Sequence, residues 1–133
     1  MLGTNDVGRG GLNAAQGAER LFQIIDDVFA KVPGGRVIVA RIPRLSQLYG
    51  GELARAGGTK DAWIQDYNTR ISTTVATRAG AGQKLSVVDM YGALTFADLG
   101  DGVHPNAAGY AKMAQVWYDG IVAVTSGGGA GGK

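Results

Sequence analysis

The chain has 133 residues, 45% hydrophobic and 18% charged, which is enough to build one domain with a sizeable core rather than a disordered polymer. Its net charge of +2 is too small and too scattered to draw it to nucleic acid or to an anionic membrane surface. With no cysteine and a single histidine, disulfide and thiolate chemistry are excluded, and a zinc site would lack its usual ligands.

Met1-Leu2 reads as the last residues of a buried strand, followed at once by a Gly3-Thr4-Asn5-Asp6 turn. Domains seldom begin on the end of a strand, so further residues are expected upstream of Met1. The opening lacks the basic and apolar regions of a signal peptide, and no apolar run approaches the length of a membrane span. Residues 13–32 carry Ala18, Leu21, Phe22, Ile25, Val28, Phe29 and Val32 at three- and four-residue steps, the pattern of an amphipathic helix. Asn13 is its N-cap, and Pro33-Gly34-Gly35 stops it. Residues 36–42 are a short β-branched run of the kind found in strands buried on both faces of a parallel sheet. A Gly-containing loop over 44–59 leads to a second helix over 61–78, with Trp63, Ile64, Tyr67, Ile71 and Val75 as its stripe. A second buried strand covers 85–90 and a loop or short turn covers 91–103. Asn106 then caps a third helix running to about residue 122, with Tyr110, Ala114, Trp117 and Ile121 on one side. Residues 124–133 form a Gly-rich linker or tail, leaving 1–123 as the domain.

Alternation of strand and helix argues for an α/β fold with a parallel sheet, whose ligands gather at the carboxyl ends of the strands. Three segments then meet at one edge: the turn after Leu2, the loop after Ile42, and the loop from Tyr91 to Pro105.

Two motifs lie on that edge. Asp101-Gly102-Val103-His104-Pro105 holds the only histidine, with a carboxylate three residues before it. A histidine beside a fixed carboxylate is the base and orienter of a nucleophilic hydrolase; the plainer alternative is a surface turn in which Asp101 bonds the backbone. Leu2-Gly3-Thr4-Asn5-Asp6 combines a glycine for a sharp turn with an Asn5 amide able to donate to a developing oxyanion; the plainer alternative is a turn that caps a strand. Gly8-Arg9-Gly10-Gly11 lacks the ending of a phosphate loop. Trp63, Tyr67 and Trp117 have the helical spacing of core residues rather than a sugar platform, whereas Tyr49 and Tyr91 fall in loops where a substrate could be touched.

The order and spacing of the two motifs, a Gly-x-Asn-Asp block followed roughly a hundred residues later by Asp-x-x-His-Pro, resembles the GDSL/SGNH ester hydrolases. Val87-Val88-Asp89-Met90, Asp98-Leu99, Asp101 through Asn106, Gly109-Tyr110 and Met113-Ala114 look like the secreted acetyl xylan esterases and related carbohydrate esterases. The resemblance implies a flavodoxin-like (SGNH) three-layer sandwich with a parallel sheet, N-terminally truncated. It implies His104 as general base, Asp101 as its orienter and Asn5 as oxyanion donor, with Gly3 and Thr4 shaping the turn and Asp6 pinning the loop. It further implies an ester substrate, such as an acetylated polysaccharide, no cofactor, no nucleic-acid or membrane partner, and an extracellular full-length form.

The departure from the family is large. The Gly-Asp-Ser block that carries the nucleophile, and the block that supplies an oxyanion-hole glycine, have no counterpart here. Of Ser46, Ser72, Ser86 and Ser126, only Ser46 falls in a loop at the active edge, and no glycine-flanked elbow surrounds it. The expectation is therefore a serine ester hydrolase by family that is inactive as this chain alone, with an apolar sheet edge open to self-association. The alternative is a non-catalytic fragment or glycan-binding module with an esterase-like surface. A nucleotide-binding flavodoxin-like domain is a third reading that no loop supports.

Overall fold

A computed structural model describes residues 3–4, 11–45 and 60–126. Helix α1 (Ala14–Lys31) starts on the expected cap. Asn13 Oδ1 accepts from the Gln16 backbone N–H at 2.9 Å, and Gln16 Oε1 accepts from the Asn13 N–H at 3.0 Å, so two donors that the first turn cannot satisfy are paired. Its buried stripe runs through Ala14, Gly17, Ala18, Phe22 and Ile25. Val28 and Val32, which periodicity places on the same stripe, are exposed.

Strands β1 (Val37–Arg41) and β2 (Leu85–Asp89) are parallel, with Val37 opposite Leu85 and Arg41 opposite Asp89. Alternation along the pleat sends Val39 and Leu85 to one face and Val88 to the other. The first face packs on α1 and on helix α2 (Lys60–Gly80), forming the core with Phe22, Ile25, Ile64, Tyr67, Ile71 and Val75. The second face is covered by helix α4 (Ala107–Ser126), which follows the short helix α3 (Met90–Ala93) and a 3₁₀ turn over Phe96–Asp98. Helices thus flank the parallel pair on both sides, in three layers. The approach of α4 is so close that a Cβ at Gly120 would lie 2.4 Å from Val88 Cγ1, which only glycine avoids.

Trp63 and Tyr67 are core residues, as their spacing suggests. Their rings stack at 5.0 Å, Trp63 Nε1 donates to the Leu12 carbonyl at 3.0 Å, and both rings press on Gly17. Helix α4 departs from expectation in two ways. It continues to Ser126, where the Thr125 hydroxyl bonds the Ile121 carbonyl. Trp117, whose spacing suggested core, is only half-buried, while Tyr110 (57%), Ile121 (49%) and Ala114 are exposed; Gly120 faces Val88 and Gly109 faces Asp98 and Pro105. Gly120 admits Val88 of β2 and Gly109 admits the Asp98 carbonyl, close approaches that a bulkier residue on this face of α4 would block.

The end of β1 is fixed by one buried side chain. Asn68 on α2 is fully buried; its Oδ1 accepts from the Ile42 N–H at 2.8 Å and its Nδ2 donates to the Ile42 carbonyl at 2.9 Å. Asn68 thus acts as a strand partner for Ile42, at the point where the chain leaves the sheet toward the active edge. Replacement Asn68→Ala leaves both backbone groups buried and unpaired, and is expected to lower the unfolding free energy by roughly 2–3 kcal/mol in denaturant titration. A change within about 0.5 kcal/mol, the range of ordinary surface substitutions, would contradict this role.

Candidate active site

The loop between the 3₁₀ turn and α4 is closed on itself. At its base the Asn106 N–H donates to the Asp98 carbonyl at 2.8 Å, and Leu99 and Pro105 form an antiparallel bridge. One step further the Gly100 N–H donates to the His104 carbonyl at 2.8 Å. The tip turns at Gly102, whose φ of +85° suits a residue without a side chain. Asn106 also caps α4: its Oδ1 accepts from the Gly109 N–H at 3.0 Å, while its Nδ2 donates to the Ala97 carbonyl at 2.9 Å.

This closed loop brings Asp101 and His104 together. Asp101 Oδ1 accepts from the Val103 N–H at 2.9 Å and the His104 N–H at 2.7 Å, and Asp101 Oδ2 lies 2.6 Å from His104 Nδ1. The contacts that each alternative requires are both present: the carboxylate bonds the turn with one oxygen and the imidazole with the other. The His104 backbone N–H, then the His104 ring and the Val103 N–H, hold the Asp101 carboxyl well below the usual carboxylate range. With Nδ1 committed to Asp101, Nε2 is the nitrogen left to exchange a proton with a substrate or nucleophile.

The imidazole borders a groove of about 410 Å³ lined by Thr4, Pro43, Val103, Pro105, Tyr110, Met113 and Trp117. That volume lies in the roughly 300–1,000 Å³ range of small-molecule sites. Thr4 belongs to the first motif, Pro43 follows β1, and the remainder comes from the His104 loop and α4, so the three segments expected at one edge do converge. Gly3 sits where a Cβ would meet the Tyr67 hydroxyl at 2.8 Å; with φ +98°, it lets the first motif lie directly on α2. Thr4 Oγ1 is buried with no hydrogen-bond partner among the described residues.

Other expected residues fall elsewhere. Asn5, Asp6, Ser46 and Tyr49 lie outside the described residues. Ser72 bonds the Asn68 carbonyl on α2, Ser86 is buried within β2 and Ser126 ends α4; none of the three lines the groove. Tyr91, read as a substrate-contacting loop residue, is instead in α3. Its hydroxyl donates to Asp61 at 2.9 Å, and the Arg44 guanidinium lies 4.1 Å from its ring centroid. Burial and the Asp61 carboxylate raise the Tyr91 pKa, opposed by Arg44 and Arg41. Trp117, read as core, lines the groove. Among the described residues, no three His, Asp or Glu side chains converge as a metal cage would require.

Residues 1–112 match the model of the GDSL-like lipase/acylhydrolase family. The chain belongs to that family. Its fold is the SGNH-like α/β arrangement: a carbohydrate esterase family 3 structure from Talaromyces cellulolyticus superposes with a TM-score of 0.77 at 28% identity, over 95% of this chain and 57% of that one. A family 3 carbohydrate esterase from Clostridium thermocellum gives 0.66 at 26% identity, over 92% and 54%. A multidomain esterase from Ruminococcus flavefaciens is 32% identical over 123 residues, which is 91% of this chain and 15% of that protein. The chain thus spans little more than half the length of the solved GDSL-family relatives and a small part of the curated one.

One group beside the site escaped the motif reading. Asp98 is buried, and accepts from the Thr95 N–H at 2.8 Å, the Thr95 hydroxyl at 2.9 Å and Lys112 Nζ at 2.8 Å. Only the Asp98-Leu99 pair within the family resemblance pointed to it; nothing marked Lys112, 14 residues away. Lys112, then the two Thr95 donors, hold the Asp98 carboxyl down to about 2 from its ordinary 3.8. A carboxyl depressed by folding stabilises the native state above its unfolded pKa, and that stabilisation disappears as pH falls through the folded value. The stability gap between the wild type and Asp98→Asn is therefore expected to stay constant from neutral pH to about 5 and to shrink between about 4 and 2, measured as urea midpoints across that range. A gap that widens on acidification would contradict the assignment.

Proposed function

We propose that this chain is the base-bearing part of an SGNH-type serine ester hydrolase domain, acting on short acyl esters. The observation that carries the reading is the 2.6 Å contact between Asp101 Oδ2 and His104 Nδ1, on a loop that presents the imidazole to a groove. In the proposed reaction His104 Nε2 takes the proton of a serine hydroxyl as its oxygen attacks the ester carbonyl. The Asn5 amide donates to the oxyanion that forms. The tetrahedral intermediate collapses, the alcohol leaves with the proton held by His104, and an acyl-enzyme remains. Water, deprotonated by the same nitrogen, then releases the carboxylic acid and regenerates the serine. Asp101 stays ionised throughout and steadies the imidazolium. Each step is proton transfer and acyl transfer, so the proposed mechanism calls for no cofactor.

The relatives named as carbohydrate esterases support an acetylated or otherwise acylated carbohydrate as substrate, and with it an extracellular site of action for the full-length protein. In this reading residues 1–123 are part of the hydrolase domain and the Gly-rich stretch beyond them is a linker or tail.

The serine is the open requirement. None of the three described serines lines the groove. That same observation favours a second reading, in which the chain binds glycan at an esterase-like surface without turning it over. The purified chain is expected to hydrolyse p-nitrophenyl acetate no faster than its His104→Ala variant. A His104-dependent rate would contradict this and place a nucleophile within the 133 residues.

Exposed apolar residues on β2 and on the outer side of α4 support self-association through the sheet edge and the adjoining helix. Val87 on β2 and Tyr118, Ile121 and Val122 on α4 are all exposed. Sedimentation at micromolar concentration is expected to show species larger than a monomer, and the double variant Tyr118→Asp/Ile121→Asp is expected to shift them toward monomer. A wild type that sediments as a monomer across that range would rule the edge out as a contact.

A further inference from the structure

The His104–Asp101 pair is exposed: its side chains retain 70% and 53% of their accessible surface. An exposed ion pair on a free loop holds geometry poorly, because water competes for both partners and side-chain entropy opposes the contact. The 2.6 Å contact must therefore owe its definition to the loop that presents it. That loop has two roots, one at Asp98 and one at Asn106, and both meet at Asp98. Its carbonyl receives the Asn106 N–H at 2.8 Å, and its carboxylate holds Thr95 on the incoming side and Lys112 of α4 on the outgoing side. Helix α4 can come this close only because residue 109 is glycine; a Cβ there would lie 2.5 Å from the Asp98 carbonyl oxygen.

We propose that Asp98 is a positioning residue for the His104–Asp101 pair: a buried carboxylate that clamps α4 to the 3₁₀ turn and so fixes the span of the loop that aligns the two side chains. The inference rests on reading that pair as base and orienter. Asp98 touches neither His104 nor the groove; it acts through the backbone. A helix held by Lys112 sets where Asn106 lies, the Asn106 N–H sets where Pro105 pairs with Leu99, and that pairing sets the distance from Asp101 to His104. Most of the connection is a short rigid ladder, so a change of partner at Asp98 is transmitted to the tip rather than absorbed by side-chain rotation.

The chain's single histidine makes the test direct. In the wild-type chain near neutral pH, ¹⁵N NMR of the histidine ring is expected to show Nδ1–H as the main neutral tautomer, since that proton is held by Asp101. Asp98→Asn removes the charge on which Lys112 closes. It is expected to remain folded and to invert the ratio, so that Nε2–H, the form favoured by a free imidazole, becomes the main species. Lys112→Gln, at a partly exposed position, is expected to shift the ratio in the same direction by less. A residue with only a stabilising role would leave the tautomer of the folded protein unchanged. A folded Asp98→Asn that keeps the wild-type ratio would overturn the proposal, and if Asp98→Asn fails to fold, a Lys112→Gln ratio equal to that of the wild type would overturn it. Turnover does not enter the readout, so a chain without esterase activity still tests the positioning role, and a failure of one reading is distinguishable from a failure of the other.

Discussion

Everything functional in this structure depends on how one carboxylate divides its two oxygens. Asp101 gives Oδ1 to the backbone N–H groups of Val103 and His104 and Oδ2 to the His104 ring. The first set folds the tip of the loop; the second selects the nitrogen of the imidazole that is left for chemistry. Separately these would be a turn and a surface ion pair. Joined in one side chain, they make the orientation of the base a consequence of the backbone conformation, which is what a base needs if it is not to spend freedom in the transition state. The remaining architecture serves that loop. Parallel strands send their carboxyl ends to one edge, Asn68 fixes the chain as it leaves β1, and Asp98 and Asn106 close the roots.

Most of the fold was legible because each element carries its own punctuation. Asn13 and Asn106 cap helices, Pro33 and Pro43 stop elements, and short runs with β-branched residues at Val37-Ile38-Val39 and Val87-Val88 mark the strands. The face that α4 turns to its neighbours was not legible. Its apolar residues outnumber its polar ones, so periodicity does not choose a face. The choice is made by Gly109 and Gly120, where backbone must approach Asp98 and Val88. Trp117, read as core, was misplaced for that reason. Asn68 and Lys112 were invisible for another: their partners, Ile42 and Asp98, lie 26 and 14 residues away, and a single polar residue in a helix carries no sign of what it will meet. At the site, the motif gave Asp101 and His104 as a pair, and the structure adds the closed loop that makes the pair a defined geometry.

The family relation and the site geometry bear on different halves of the same chemistry. The match to GDSL-like acylhydrolases and the superposition on carbohydrate esterases establish ancestry and fold, over little more than half of a solved relative's length. The geometry shows His104 held by Asp101 beside a groove, the pair proposed as base and orienter. A serine nucleophile is the part that none of the described residues lining the groove provides. Tyr110, one of the exposed apolar residues of α4, lines that groove.

The central claim is that His104 is held by Asp101 through Nδ1 and offers a bare Nε2. The most direct measurement is the two-bond ¹H–¹⁵N correlation spectrum of the single histidine, recorded on the wild-type chain and on Asp101→Asn. Nδ1 protonated and Nε2 unprotonated in the neutral wild-type ring, with that preference lost in Asp101→Asn, is the expected result. A wild-type ring protonated at Nε2, or one whose tautomer ignores Asp101, would contradict it.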